Sequence, residues 1–223
     1  MKSSTIRHFV RALASPLVLA ASIAPAFAHH MEGGEMPSTF TAGLLSGVGH
    51  PIIGLDHFAF IAGVGIASAF LPRGIVAIMA FVAATVVGCA LHLQGVTLPA
   101  AEIVIAASVL LVGAAIMTGR AMPAMLAAGV FALAGLFHGY AYGEAIFGAE
   151  QTPVAAYLIG FAAIQTAIAA VAMLITASLA SMASAVPARL AGAVIAGIGL
   201  TFLVQNVESA VVPAPAPVVA PRA

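Results

Sequence analysis

Residues 39–71 read TFTAGLLSGVGHPIIGLDHFAFIAGVGIASAFL, an apolar run interrupted by two histidines, one proline and one aspartate. A straight transmembrane helix needs about 20 such residues, so this run is too long for one. Proline favours the first turn of a helix and disfavours helical backbone in the residue before it. The run therefore predicts a short half-helix over 39–49, a break at Pro51 with His50 as the cap, and a crossing helix over 51–71.

Five further apolar runs follow, and each approaches or exceeds the length that crosses a bilayer. They cover residues 75–93, 101–118, 123–142, 156–178 and 190–207. Charged residues make up only 6% of the 223-residue chain, whereas soluble domains carry about 25%. The sequence therefore predicts an all-α integral membrane bundle of six transmembrane helices. Gly135, Gly139 and Gly143 are spaced four apart, which favours close packing between membrane helices.

The N-terminus has the features of a cleaved signal peptide over residues 1–28. Lys2, Arg7 and Arg11 precede a short apolar run, and Ala26-Phe27-Ala28 supplies a cleavage site. An uncleaved first helix is the alternative, although its apolar run is shorter than a span requires. The expected organisation is a periplasmic leader over 29–38, a transmembrane domain over 39–208 and a periplasmic Pro/Ala-rich tail over 209–223.

Basic residues between the spans predict the orientation. Arg73, Arg120 and Arg189 all fall on the same side of a six-span chain, and positive charge marks the cytoplasmic side. Both mature termini are then periplasmic and the membrane is the bacterial inner membrane. Seven Lys and Arg balance seven Asp and Glu, so no basic excess suggests a nucleic-acid partner. The expected partners are the lipid bilayer, a divalent metal ion and, as a further candidate, a second copy of the chain.

Ionisable groups inside spans are costly and point to function. In this orientation they lie toward the periplasm, and the candidate metal site is His50, Asp56, His57, His92, Glu102, His138 and Glu144. Imidazoles with a carboxylate suit first-row divalent ions such as nickel, cobalt or zinc. We assign Glu102 and Glu144 to supporting or proton-linked roles. No permanently bound cofactor is expected.

Structural alternatives exist for several of these residues. His50 and Asp56 are also suited to capping a broken helix, and Glu102 to capping a helix start. Gln165, near the middle of the fifth span, is interpreted as a hydrogen-bonding contact between helices, and Cys89 as a packing residue. For the whole chain, a membrane cytochrome with histidine-ligated haem and a periplasm-facing metal-binding protein remain alternatives.

Three elements of the sequence resemble the HupE/UreJ family of membrane proteins. They are HPIIGLDH at 50–57, LHLQG to LPAAE within 91–102, and FHGYAYGE at 137–144. The family's third element often reads FHGHAHG, so Tyr140 and Tyr142 stand where two histidines are found. The resemblance covers nearly all of the mature chain and implies a permease, not an enzyme. It implies nickel, or cobalt, as the transported ion, in association with hydrogenase or urease.

Overall fold

The computed structural model describes residues 36–120, 122–182 and 185–211. This part of the chain forms seven α-helices and no strand, which confirms the all-α prediction. The helices are α1 Phe40–Ile53, α2 Leu55–Ser68, α3 Gly74–Leu93, α4 Ala101–Thr118, α5 Ala124–Glu144, α6 Gln151–Met182 and α7 Val186–Val211. The signal peptide expected at 1–28, residues 29–35 of the leader and residues 212–223 of the tail lie outside the described residues.

The first span is broken, as the sequence predicted, but the break is displaced. Helices α1 and α2 meet at a bend of 80°, and Gly54 between them has an extended conformation, with φ −70° and ψ 103°. Pro51 lies in the last turn of α1. The helix continues past it, since Gly54 donates its N–H to the carbonyl of His50 at 3.1 Å. The predicted break at Pro51 is therefore wrong by three residues, and His50 lies inside the helix and does not cap it.

The two halves of the broken span together follow α6. Gly47 of α1 abuts the backbone of Tyr157, and Gly65 of α2 abuts that of Ala169 further along the same helix. Five single helices in the described part are long and apolar enough to cross a membrane, and the bent pair of α1 and α2 counts as a sixth when it is taken as one span. A bundle of about six spans is confirmed.

Most predicted span boundaries agree with the helices to within one or two residues. The last two helices are longer than their apolar runs, because α6 begins at Gln151 and α7 continues to Val211. Hydropathy reports the length inside the hydrocarbon, whereas the hydrogen-bonded helix continues into the interfacial region. Residues 209–211, expected to belong to the tail, are thus the last residues of α7.

Helix α2 is the centre of the bundle. It contacts α1, α3, α4, α6 and α7, and its side chains Phe60, Ile61 and Val64 are fully or almost fully buried. Large apolar side chains on the outer helices are exposed instead, among them Leu111, Met125 and Leu133. In a membrane protein these exposed faces meet lipid.

Glycines allow α5 to lie directly against α3, as their spacing predicted. A Cβ atom at Gly135 or Gly139 would collide with the backbone carbonyl of Phe81 or Thr85, and one at Gly143 would meet His92. Elsewhere, α4 packs along α7 in a second close pair. Short interaxial distances give the dispersion contacts that hold helices together in lipid.

The two ends of the bundle carry different residues. Arg73 precedes α3, Arg120 follows α4 and Arg189 lies in the first turn of α7, where its guanidinium approaches Gly119. All three therefore lie at one end, which we call the arginine end. The α3–α4 and α5–α6 turns, with Glu102 and Glu144 beside them, lie at the opposite end.

Candidate metal site

Two buried histidines meet between α2 and α5. The Nδ1 atoms of His57 and His138 are 2.8 Å apart, although the residues are separated by 81 positions in the sequence. Both side chains are buried, and the ring of Phe60 stacks on His138 with centroids 4.3 Å apart. The fold thus brings together two of the predicted ligands in an environment closed to lipid.

Ser108 of α4 determines which nitrogen of His138 carries the proton. The Ser108 hydroxyl donates to the carbonyl oxygen of Ile105 at 2.7 Å, so its oxygen accepts from Nε2 of His138 at 2.9 Å. A neutral imidazole has one N–H, and Nδ1 of His138 is then the acceptor in the bond from His57. His138 therefore presents a basic nitrogen to His57, which is what metal ligation requires.

His50 lies beside this pair, in the last turn of α1. The hydroxyl of Tyr157 donates to the carbonyl of Tyr142 at 2.9 Å and therefore accepts from Nδ1 of His50 at 3.1 Å. We call His50, His57 and His138 the histidine cluster.

The ring of Tyr142 packs between two members of the histidine cluster. Its centroid is 5.1 Å from that of His50 and 4.4 Å from that of His57, while the two imidazole centroids are 6.1 Å apart. Within the described ranges, no three His, Cys, Asp or Glu side chains form a group that could hold a metal ion as they stand. The Tyr142 ring therefore lies where the His50 imidazole would have to pass to join His57 and His138 around one ion.

The His57–His138 pair is nevertheless close to ligand geometry. Two nitrogens bound to one ion at about 2.0–2.1 Å stand roughly 3 Å apart at a right angle and roughly 3.4 Å apart in a tetrahedron. The observed 2.8 Å is close to these separations, and the two rings would have to turn so that both lone pairs face the ion instead of each other. The proton between the two nitrogens has to move before both can bind an ion, and a neutral His57 is able to carry it on Nε2 and present Nδ1 to the metal.

Asp56 contacts the backbone beside the histidine cluster. Its Oδ1 accepts the backbone N–H of His57 at 2.9 Å, in the first turn of α2. Asp56 is not the N-cap of α2, which is Gly54, but a carboxylate in the first turn interacts favourably with the free amides there. The bond also fixes the backbone from which the His57 ring projects.

The other three candidates lie outside the histidine cluster. His92, near the end of α3, packs against Tyr140 and Phe147 with centroid distances of 4.5 and 5.5 Å. Its Nδ1 is buried and has no hydrogen-bond partner. Glu102 and Glu144 are exposed, in the first turn of α4 and at the end of α5. The fold places these residues at the same end of the bundle without joining them to the cluster.

Ser108 and Tyr157 were not predicted as site residues. A lone serine in an apolar span is usually a packing residue, and a tyrosine near a span end is usually interfacial. Their hydroxyl groups instead fix the protonation of His138 and His50. The only signal in the sequence was a polar atom within an apolar segment. Cys89, by contrast, is buried among Tyr142, Tyr157 and Phe161, in agreement with its interpretation as a packing residue.

If His138 ligates a divalent transition metal, replacement of Ser108 by alanine is expected to weaken the binding of that metal by about 10- to 100-fold, because partners that orient a ligating histidine contribute that much to affinity. Without the serine oxygen, Nε2 of His138 loses its acceptor and either tautomer becomes accessible. Equilibrium nickel binding to purified protein measures the effect. Thr118→Val is the matched control, since the exposed Thr118 hydroxyl bonds only within α4. Equal affinities in both variants would contradict the role of Ser108.

A bundle of membrane-spanning helices with imidazoles buried and oriented by hydroxyl groups defines a polytopic membrane protein with a polar intramembrane site. The HupE / UreJ protein family model matches residues 17–202. Protein HupE of Rhizobium leguminosarum bv. viciae is 30% identical over 188 residues, which cover 83% of this chain and 95% of that protein. No solved structure matches the chain. The chain belongs to the HupE/UreJ family.

Proposed function

We propose that the protein is an inner-membrane permease that takes up a divalent transition metal, nickel first, from the periplasm. The observation that carries the proposal is the His57–His138 pair, buried between membrane-spanning helices with His50 beside it. Burial of polar groups in a membrane is costly and is retained where it serves a function. Membership of the HupE/UreJ family supports the same conclusion, and it suggests supply of metal for hydrogenase or urease maturation.

The chemistry of the cluster favours a transition metal over a harder ion. Neutral imidazoles bind nickel, cobalt, copper and zinc well, whereas magnesium and calcium prefer oxygen ligands. In the proposal, His50, His57 and His138 bind the ion, and Asp56 positions His57. His92 receives the ion nearer the surface, and Glu102 and Glu144 assist at the periplasmic end. Cobalt or another first-row metal is the alternative cargo.

Uptake of radioactive nickel and cobalt by cells that express the chain, each challenged with the other metal, tests this function. Saturable nickel uptake that cobalt inhibits weakly is the expected result. Binding of nickel by purified protein without uptake would instead indicate a periplasm-facing metal-binding protein. A visible absorption spectrum typical of haem would indicate a membrane cytochrome.

The proposed direction of transport depends on the orientation of the bundle. We infer that the arginine end is cytoplasmic, following the positive-inside rule, and that both mature termini are periplasmic. A reporter that is active only in the periplasm should therefore be active when fused after Val207. Activity of a cytoplasm-specific reporter at that position would contradict the proposed topology. As a control, the periplasmic reporter fused after Arg120 should be inactive.

A further inference from the structure

Gln165 is a fully buried polar residue at the middle of α6. It lies two turns beyond Tyr157, about 12 Å closer to the arginine end at 1.5 Å per residue. Its amide nitrogen Nε2 donates to the hydroxyl oxygen of Thr85 at 3.2 Å and to the carbonyl oxygen of Phe161 at 3.1 Å. The side chain therefore joins α6 to α3.

These bonds determine the direction of the amide. A backbone carbonyl such as that of Phe161 only accepts hydrogen bonds, so the group facing it must be the NH₂ of Gln165. The hydroxyl hydrogen of Thr85 is already donated to the carbonyl of Val82 at 2.7 Å, so Thr85 also accepts from the amide. The oxygen Oε1 consequently faces away from both contacts.

Oε1 of Gln165 has no hydrogen-bond partner, although it is buried. An amide oxygen removed from water without a donor is unfavourable, and native proteins satisfy most such groups. A role in joining α6 to α3 accounts for the hydrogen bonds of the amide nitrogen. It does not account for a buried amide oxygen without a partner. Within the described residues, this carbonyl oxygen is therefore buried without a protein donor.

Gln165 is linked to the surroundings of the histidine cluster through its two hydrogen-bond partners. Its partner Thr85 abuts Gly139, the residue after His138, and Phe161 packs on Tyr142 with ring centroids 5.5 Å apart. Beyond it, toward the arginine end, the hydroxyl oxygen of Ser68 is likewise buried without a partner. Two buried oxygen atoms without partners, those of Gln165 and Ser68, thus lie between the imidazoles and the arginine end.

We propose that Oε1 of Gln165 is a second binding position for the transported divalent cation, which it receives after the ion leaves the histidine cluster. The proposal rests on the proposed uptake function and deepens it. A neutral amide oxygen binds a first-row divalent ion more weakly than imidazole does. A weaker position on the cytoplasmic side lets the ion move on, because conduction requires sites from which the ion is able to leave.

Radioactive nickel uptake per molecule in Gln165→Met tests the proposal. Methionine has a similar length and flexibility and fills the space without an oxygen. Uptake is expected to fall about tenfold or more, as for the loss of a group that supports a metal site, while equilibrium nickel binding at the histidine cluster stays unchanged. Gln165→Asn is the second variant, for use if Gln165→Met does not accumulate in the membrane. Its side chain is one methylene shorter, which moves the oxygen away from the proposed binding position, so uptake should show the same loss.

Two controls separate the ion-binding role from helix attachment. Thr85→Val breaks the same bond between α3 and α6 but leaves Oε1 in place, held by Phe161, and should retain most of the uptake. Thr166→Val removes a neighbouring hydroxyl on α6 that bonds to its own helix at 2.8 Å, and should be normal.

Normal uptake per molecule in Gln165→Met and Gln165→Asn, or an equal loss in Thr85→Val, would overturn this inference alone. Absence of nickel uptake in the unmodified protein would overturn the proposed function, and this inference with it.

Discussion

Replacing His57 by alanine is expected to lower nickel uptake per molecule by about 100-fold, since loss of a ligand should cost at least as much as the 10- to 100-fold lost with an orienting partner. The His57 ring contacts His138 at 2.8 Å and lies beside His50 and Tyr142. Its removal leaves His138 without its imidazole partner. Uptake of radioactive nickel, normalised to the amount of protein in the membrane, measures this loss.

Two further substitutions establish why His57→Ala loses activity. Asparagine at position 57 is able to place an N–H near Nδ1 of His138 but provides no imidazole nitrogen, so His57→Asn should remain inactive if the ring is a ligand. Recovery of uptake in His57→Asn would show that the hydrogen bond is what matters. Phe58→Ala, at an exposed position on the same turn of α2, should transport normally.

The members of the histidine cluster should act as a unit. Residues that share one site give non-additive effects, so His57→Ala combined with His138→Ala should be little worse than either single substitution. Multiplied losses in the double variant would place the two histidines at independent sites.

Replacing Gly139 by alanine is expected to destabilise the protein by about 3 kcal/mol, the upper end of the usual cost of overpacking. A Cβ atom at this position would collide with the backbone of Thr85, and backbone atoms yield less readily than the end of a side chain. The helices α3 and α5 would therefore separate. Thermal unfolding in detergent and the amount of protein in the membrane both measure the effect.

Gly129→Ala is the matched control, because it lies on the same helix and has no atom within 4 Å of the added Cβ position. Alanine is the better helix former, so this variant should be as stable as the unmodified protein or slightly more stable. Similar behaviour of Gly129→Ala and Gly139→Ala would contradict the close α3–α5 packing.

Much of the fold was predictable from composition and the length of apolar runs. Six spans, a broken first span and one common end for Arg73, Arg120 and Arg189 were all inferred from the sequence, and the helices agree with them. The reason is that a bilayer imposes one dominant constraint, since each crossing segment has to be apolar and has to satisfy its own backbone hydrogen bonds. The position of the break was less predictable, because Pro51 lacks only its own N–H and the helix continues past it to Ile53.

The residue types of the candidate site were also visible in the sequence, as imidazoles and carboxylates inside apolar segments. Their partners were not. The contact of His57 with His138 and the hydrogen bonds of Ser108 and Tyr157 to histidines depend on the rotation and depth of each helix. Thus the sequence alone determined that the chain crosses the membrane and which costly side chains it carries. Only tertiary structure decided which of them meet, because lateral contacts between helices arise from side-chain packing between segments distant along the chain.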